Sequence, residues 1–175
     1  MSSVTARPHH RVPASLFGIV LGVAGLAGTW RVAARLWSVP DTVAVTLSVA
    51  SLLIWAALLT GFAFTWIKNR PDAIRELHHP IAGCFLSLVP VSTSVVAVAT
   101  LDLAPRFAHV AFVVGAIAQF AFGVYRTGAL WKGGMQLAEV TPTLYLPNVA
   151  GNLTSALAAA ALNQRSWAMF FFAIG

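Results

Sequence analysis

The chain of 175 residues is 58% hydrophobic and 9% charged, with a mean hydropathy of +0.79, whereas soluble domains are roughly half apolar and a quarter charged; a water-soluble globular fold is excluded. Its net charge of +6 is spread singly through the gaps between apolar runs, which argues against nucleic acid as a partner and for membrane lipid as the surrounding medium. A single cysteine, Cys84, sits inside an apolar run, so no intrachain disulfide framework or thiolate metal site can be built.

Residues 1–13 hold Arg7, Arg11 and two histidines without an acid and read as a cytoplasmic tail; 14–175 read as the membrane domain. The basic start followed by an apolar run is shaped like a secretory signal, but the run is long and further runs follow, so 14–30 reads as a retained first span. Along it Gly18, Gly22, Gly25 and Thr29 fall on one helical stripe, which allows close backbone approach to a neighbour or a narrow cavity. A loop with Arg31, Arg35 and Asp41 leads to a second span, 42–67, uncharged and closed by Trp66. Lys68 to His79 is the most charged stretch, KNRPDAIRELHH, with Pro71 punctuating it and Pro80 suited to starting the third span, 80–101. There Gly83, Ser87, Pro90 and Ser94 share a stripe, and Pro90 is expected to remove one intrahelical hydrogen bond near mid-membrane and kink the helix.

A turn at Asp102, Pro105 and Arg106 precedes the fourth span, 107–125, whose polar content is His109 at its start and Gln119 inside. Arg126 to Glu139 reads as a loop. The fifth span, 140–162, has no charge from Val140 to Leu162 and so provides the roughly twenty residues that a ~30 Å hydrocarbon core requires. It nevertheless carries Pro142, Pro147, Asn148 and Asn152. At helical spacing Tyr145, Asn148, Gly151, Asn152 and Ser155 share one stripe. That stripe cannot face lipid, where an unpaired amide costs several kcal/mol, and is expected to face other helices or a water-filled cavity. A last apolar segment, 167–175, is too short to cross, which leads to the expectation that the complete protein continues past Gly175. The sequence thus predicts an all-α integral membrane protein with five complete transmembrane helices and the start of a sixth.

Loop charges set the orientation. With the N-terminus inside, cytoplasmic segments hold Arg7, Arg11, Lys68, Arg70, Arg75, Arg126 and Lys132, against Arg31, Arg35, Arg106 and Arg165 outside, which favours a cytoplasmic N-terminus. No acidic or basic residue falls inside a predicted span, whereas a proton relay or tight ion-pair capture needs such groups. A neutral polar path between basic loops suits weakly held anions, although loop charges are screened beyond ~10 Å. Glu76 and His79 form an ExxH spacing that can hold a di-iron pair when a second copy is present; no second copy exists here, and the pair reads as a charged helix start. Ser92, Thr93 and Ser94 have no nearby histidine or acid in sequence to act as base. No enzyme activity, cofactor or metal is expected.

The spans alternate: one, three and five carry glycine, proline, serine and asparagine stripes, while two and four are nearly uniform. This is a repeat of helical hairpins, each with one specialised and one supporting helix, a pattern common in transporters and channels. FGIVLGVAGLAGTWR at Phe17 to Arg31, ELHHPIAGCFLSLVPVS at Glu76 to Ser92 and GGMQLAEVTPTLYLPNVAGNLTSA at Gly133 to Ala156 resemble the tellurite-resistance/dicarboxylate transporter family. The bacterial TehA proteins belong to it, and the slow-type anion channels of plant guard cells are related. The resemblance implies the first half of a ten-helix pore, five hairpins around a path lined by odd-numbered helices, in an inner-membrane protein that tends to be trimeric. It implies tellurite, chloride or dicarboxylates as cargo, and pore-lining candidates Gly18, Gly22, Gly25, Ser87, Pro90, Ser94, Pro147, Asn148 and Asn152. The phenylalanine that closes the family pore lies on a ninth helix, which this chain does not contain. The alternative reading is a non-transporting helical scaffold, or the remnant of a disrupted gene, whose stripes serve packing alone.

Overall fold

The computed structural model describes residues 12–131 and 142–175; the basic tail with Arg7 and Arg11, the Lys132–Gly134 loop, and residues 140 and 141 of the expected fifth span lie outside them. A single 3-10 turn, Ala14–Leu16, opens into α1, Phe17–Trp37. The expected loop after Trp30 is helix instead. Nothing in RVAARLW breaks a helix, and α1 stops only at Ser38, which takes a left-handed backbone (φ 53°) just before Pro40.

The second helix, α2, Thr42–Lys68, matches its expected limits. The charged connection is also helical: α3 runs Arg70–His78 with Pro71 in its first turn, where a missing N–H costs nothing. It ends at His79, whose Nδ1 accepts hydrogen bonds from the backbone N–H groups of Ile81 and Ala82 at 3.2 and 3.0 Å and so caps the start of the third span. That span begins as a 3-10 helix, Ala82–Ser87, and becomes α-helical in α4, Leu88–Ala99. The change of winding falls at Ser87–Leu88, so Pro90 sits in the first turn of α4 rather than breaking its middle. Next, α5 runs Pro105–Trp131, carrying Arg126 well inside the helix.

The expected fifth span is helical from Pro142 to Ala161 but changes winding twice, from 3-10 (Pro142–Tyr145) to π (Leu146–Ala150) to α6 (Gly151–Ala161). Pro147 explains the disturbance, having no N–H to give. Because the number of residues per turn changes, the predicted stripe breaks up: Tyr145 is 69% exposed, while Asn152 and Ser155 are buried. Asn163, left-handed at φ 57°, ends the helix, and α7 follows at Arg165–Ile174.

Four helices among the described residues are long and apolar enough to cross a membrane: Ala14–Trp37, Thr42–Lys68, Ala82–Ala99 and Pro105–Gly128. The chain is an all-helical, multi-pass membrane protein. Its helices pack as successive pairs, α1 with α2, α4 with α5 and α6 with α7, and the first members also touch, α1 with α4 and α4 with α6. The third span is therefore central. Two-thirds of its hydrophobic window (67%) is buried within the chain, against 17% for α2, which leaves most of α2 exposed on the surface of the chain. Small residues permit this packing: Ala97, Ala111, Ala116, Ala156, Ala158 and Ala159 form the core with Phe112, Leu162 and Phe171. Buried hydroxyls are mostly satisfied within their own helices. Ser48, Ser92, Thr93 and Thr100 each donate to a carbonyl three or four residues earlier, as a medium without water demands.

Candidate functional site

A groove of about 540 Å³ runs between the first members of the three pairs. Its wall is formed by Ala24, Gly25, Gly28, Thr29, Val32, Ala33, Leu36 and Trp37 of α1, Val95, Val98 and Ala99 of α4, and Thr154, Leu157, Ala158 and Ala161 of α6. No side chain of α2 or α5 lines it among the described residues. The wall is almost wholly apolar, because the residues that meet there are small and the hydroxyls of Thr29 and Thr154 turn back onto Gly25 O and Ala150 O. Gly18, Gly22, Gly25 and Gly28 of α1 have open space where a Cβ would stand. No described neighbour demands a glycine at these positions; the helix face is simply open.

The nine candidate residues divide between this groove and helix–helix contacts. Gly25 lines the groove, and Gly18 and Gly22 continue the same open face of α1. Ser87 is fully buried and donates to Cys84 O at 2.7 Å. Pro90 borders a smaller cavity on the opposite side, with Trp55 of α2 and Phe107 of α5. Ser94 is buried against Gly115 of α5, where a Cβ would come within 2.6 Å of its Oγ and 3.0 Å of Pro90 O. Gly115 is thus the position that lets α4 and α5 approach.

Pro147, Asn148 and Asn152 turn toward α5. Asn148 donates through Nδ2 to Thr127 Oγ1, and Thr127 donates to Gly123 O at 2.9 Å. Asn148 and Asn152 line a second cavity, of about 460 Å³, with Phe120, Gly123 and Thr127 of α5 and Ile174 of α7. Asn152 is 6% exposed, and its Oδ1 finds no partner among the described residues.

Two arginines assigned to loops by their charge lie against helices instead. Arg31 of α1 reaches Ser48 Oγ of α2 and the last carbonyl of α4, Ala99 O, both at 3.1 Å, and pairs with Asp102 at 3.2 Å. One guanidinium thereby ties three helices at one end of the groove. Arg126 of α5 is 8% exposed. It donates to Pro80 O at 2.8 Å, to Leu77 O at 3.4 Å and to Cys84 Sγ at 3.2 Å. Its partners include the carbonyl end of α3, which carries partial negative charge. Gly83 makes room: a Cβ there would meet Leu77 O at 2.6 Å and the guanidinium at 3.2 Å. Both helices run through their arginines, with no proline past the first residue of either to stop it before it reaches Arg31 or Arg126.

The sequence signature described as voltage-dependent anion channel, SLAC1, matches residues 11–175. The tellurite resistance protein TehA homolog of Haemophilus influenzae is 30% identical over 165 residues, covering 94% of this chain and 50% of that protein. An uncharacterized transporter of Methanocaldococcus jannaschii is 25% identical over 138 residues, 77% of this chain and 40% of its own. The chain spans about half the length of the curated relatives it matches. With paired helices whose first members share a groove, and a match running through nearly all of its length, the chain belongs to the SLAC1/TehA family of anion channels and transporters.

Proposed function

We propose that the chain contributes one side of an anion-conducting path across the membrane, its wall being α1, α4 and α6. The observation that carries this reading is the composition of the groove: among the described residues every lining residue comes from the first helix of a pair and none from α2 or α5. Such a division is expected where one helix of each hairpin faces a path and the other shields it from lipid. The open face of Gly18, Gly22 and Gly25 widens the path. The apolar wall would hold no ion tightly, as conduction requires.

Ser87, Pro90, Ser94, Pro147, Asn148 and Asn152 belong to this path in our reading by shaping the winding of its helices, with the two asparagines adding polar contacts where the winding changes. Together with a further polypeptide segment the groove would close into the ten-helix pore of which the family resemblance makes this chain the first half. Arg31 and Arg126 are spent on helix contacts rather than on loops. Discounting one charge from each side leaves the bias toward a cytoplasmic N-terminus in place, in the inner membrane. Tellurite, for which one relative is named, chloride and dicarboxylates are the anions to test, and a homotrimer the assembly.

The test is flux from proteoliposomes carrying the full-length gene product. Release of chloride, tellurite or a dicarboxylate above the rate of empty vesicles is expected, and a Gly25→Phe substitution should reduce it at least tenfold by filling the groove. Absence of flux for all three anions would refute the proposal in favour of a packing scaffold.

A further inference from the structure

We infer that Gln119, on a supporting helix outside the groove, is a positioning residue that fixes the widened turn of the fifth helical stretch. The inference rests on the path reading above and names a control point within it. Gln119 is fully buried in α5 among apolar residues. Its Nε2 donates to Pro147 O across the helix interface. In an α-helix that carbonyl would receive the N–H of Gly151. Here the Gly151 N–H is engaged with Leu146 O and Asn148 O, the signature of the π turn. Gln119 therefore offers from a neighbouring helix the donor that Gly151 does not give.

Two further observations support the assignment. A Cβ at Gly151 would overlap the Gln119 amide, so the glycine is the space in which that amide sits. The orientation of the amide is set by its partner, since a carbonyl accepts only from the NH₂ side, and this leaves Gln119 Oε1 buried without a partner among the described residues. An unpaired buried acceptor is destabilising. A leucine or methionine would fill the same volume without that cost, so volume does not account for a glutamine here; the bond to Pro147 does. The turn it holds carries Asn148 within it and Asn152 just beyond, so Gln119 sets where those amides stand.

The experiment compares Gln119→Met, which keeps length and loses the donor, with Gln119→Glu, whose protonated carboxyl puts an O–H in the same place. Amide hydrogen exchange of each protein in lipid nanodiscs, under mildly acidic conditions, should show at least a tenfold rise over residues 146–152 in Gln119→Met, with α2 unchanged, and near-normal exchange in Gln119→Glu. In proteoliposomes Gln119→Met should alter the chloride-to-nitrate permeability ratio, which a loss of folded protein would not. Unchanged exchange in Gln119→Met, or equal loss in both variants, would overturn the inference. Should Gln119→Met fail to fold, Gly151→Ala probes the same contact: it should raise exchange in the Gln119 protein and be neutral in a Gln119→Ala background, and equal effects in the two backgrounds would overturn it. If the unsubstituted protein carries no flux, the path reading falls while the exchange result stands or fails on its own.

Discussion

Glycine serves two opposite purposes in this chain, and neighbouring atoms tell them apart. At Gly115 a methyl group would press on Ser94 Oγ and on the backbone of Pro90 and Ser94. Gly115→Ala is accordingly expected to cost about 1–3 kcal/mol by forcing α4 and α5 apart, seen as a lowered unfolding temperature. At Gly22 a methyl meets nothing; Gly22→Ala should leave the unfolding temperature within about 2 °C of the parent, or raise it through better helix propensity. In flux assays its effect is expected to appear in rate instead. The stripe of glycines was legible from spacing alone, because small residues at three- and four-residue intervals mark a face whatever covers it. Which glycines are pressed and which are open was not, since that depends on helices distant in sequence.

Arg126 makes the complementary case for a charge. Its guanidinium donates to the carbonyls of Leu77 and Pro80. Arg126→Met should strand those acceptors and the chain end of α3, a loss of about 2–3 kcal/mol accompanied by faster hydrogen exchange over residues 77–84. Unaltered exchange there would show that the contact holds nothing in place.

At the scale of elements, runs of apolar residues revealed α2 closely and the other helices in outline. A charge does not mark a helix end here: α1 continues past Arg31 and Arg35, α5 past Arg126, and the most charged stretch folds into α3. Stop signals were the better guide, since Pro40 follows the end of α1 closely. Winding was the harder property. Pro90 and Pro147 mark disturbed helices, but not the kind of winding, and the partners at these stretches are not legible from spacing: His79 Nδ1 accepts from Ile81 and Ala82 where the 3-10 stretch begins, and Gln119 donates to Pro147 O at the π turn. His79→Leu removes the acceptor for two backbone N–H groups. It is expected to destabilise the start of the third span by about 1 kcal/mol, measurable as increased exchange confined to residues 81–83.

For the molecule as a whole, the alternation of striped and uniform spans anticipated the division between helices that line the groove and helices that stand behind them. It did not anticipate the groove's character. The amide and hydroxyl stripes suggested a polar path, yet the groove wall is apolar, and Asn148 and Asn152 turn toward α5. Polar groups in lipid seek the nearest partner, and here that partner is the supporting helix.

The central claim is that α1, α4 and α6 face a path open to water, while α2 and α5 face lipid. The most direct measurement is reaction with a charged, membrane-impermeant thiol reagent, for which the parent protein provides a quiet background because Cys84 is buried. Gly25→Cys, Val95→Cys and Thr154→Cys, on the groove wall, are predicted to react in intact membranes, whereas Leu53→Cys on α2 and Val114→Cys on α5 are not, although both parent residues are exposed on the chain's surface. Equal labelling of the two sets, or labelling of the second set alone, would contradict the account.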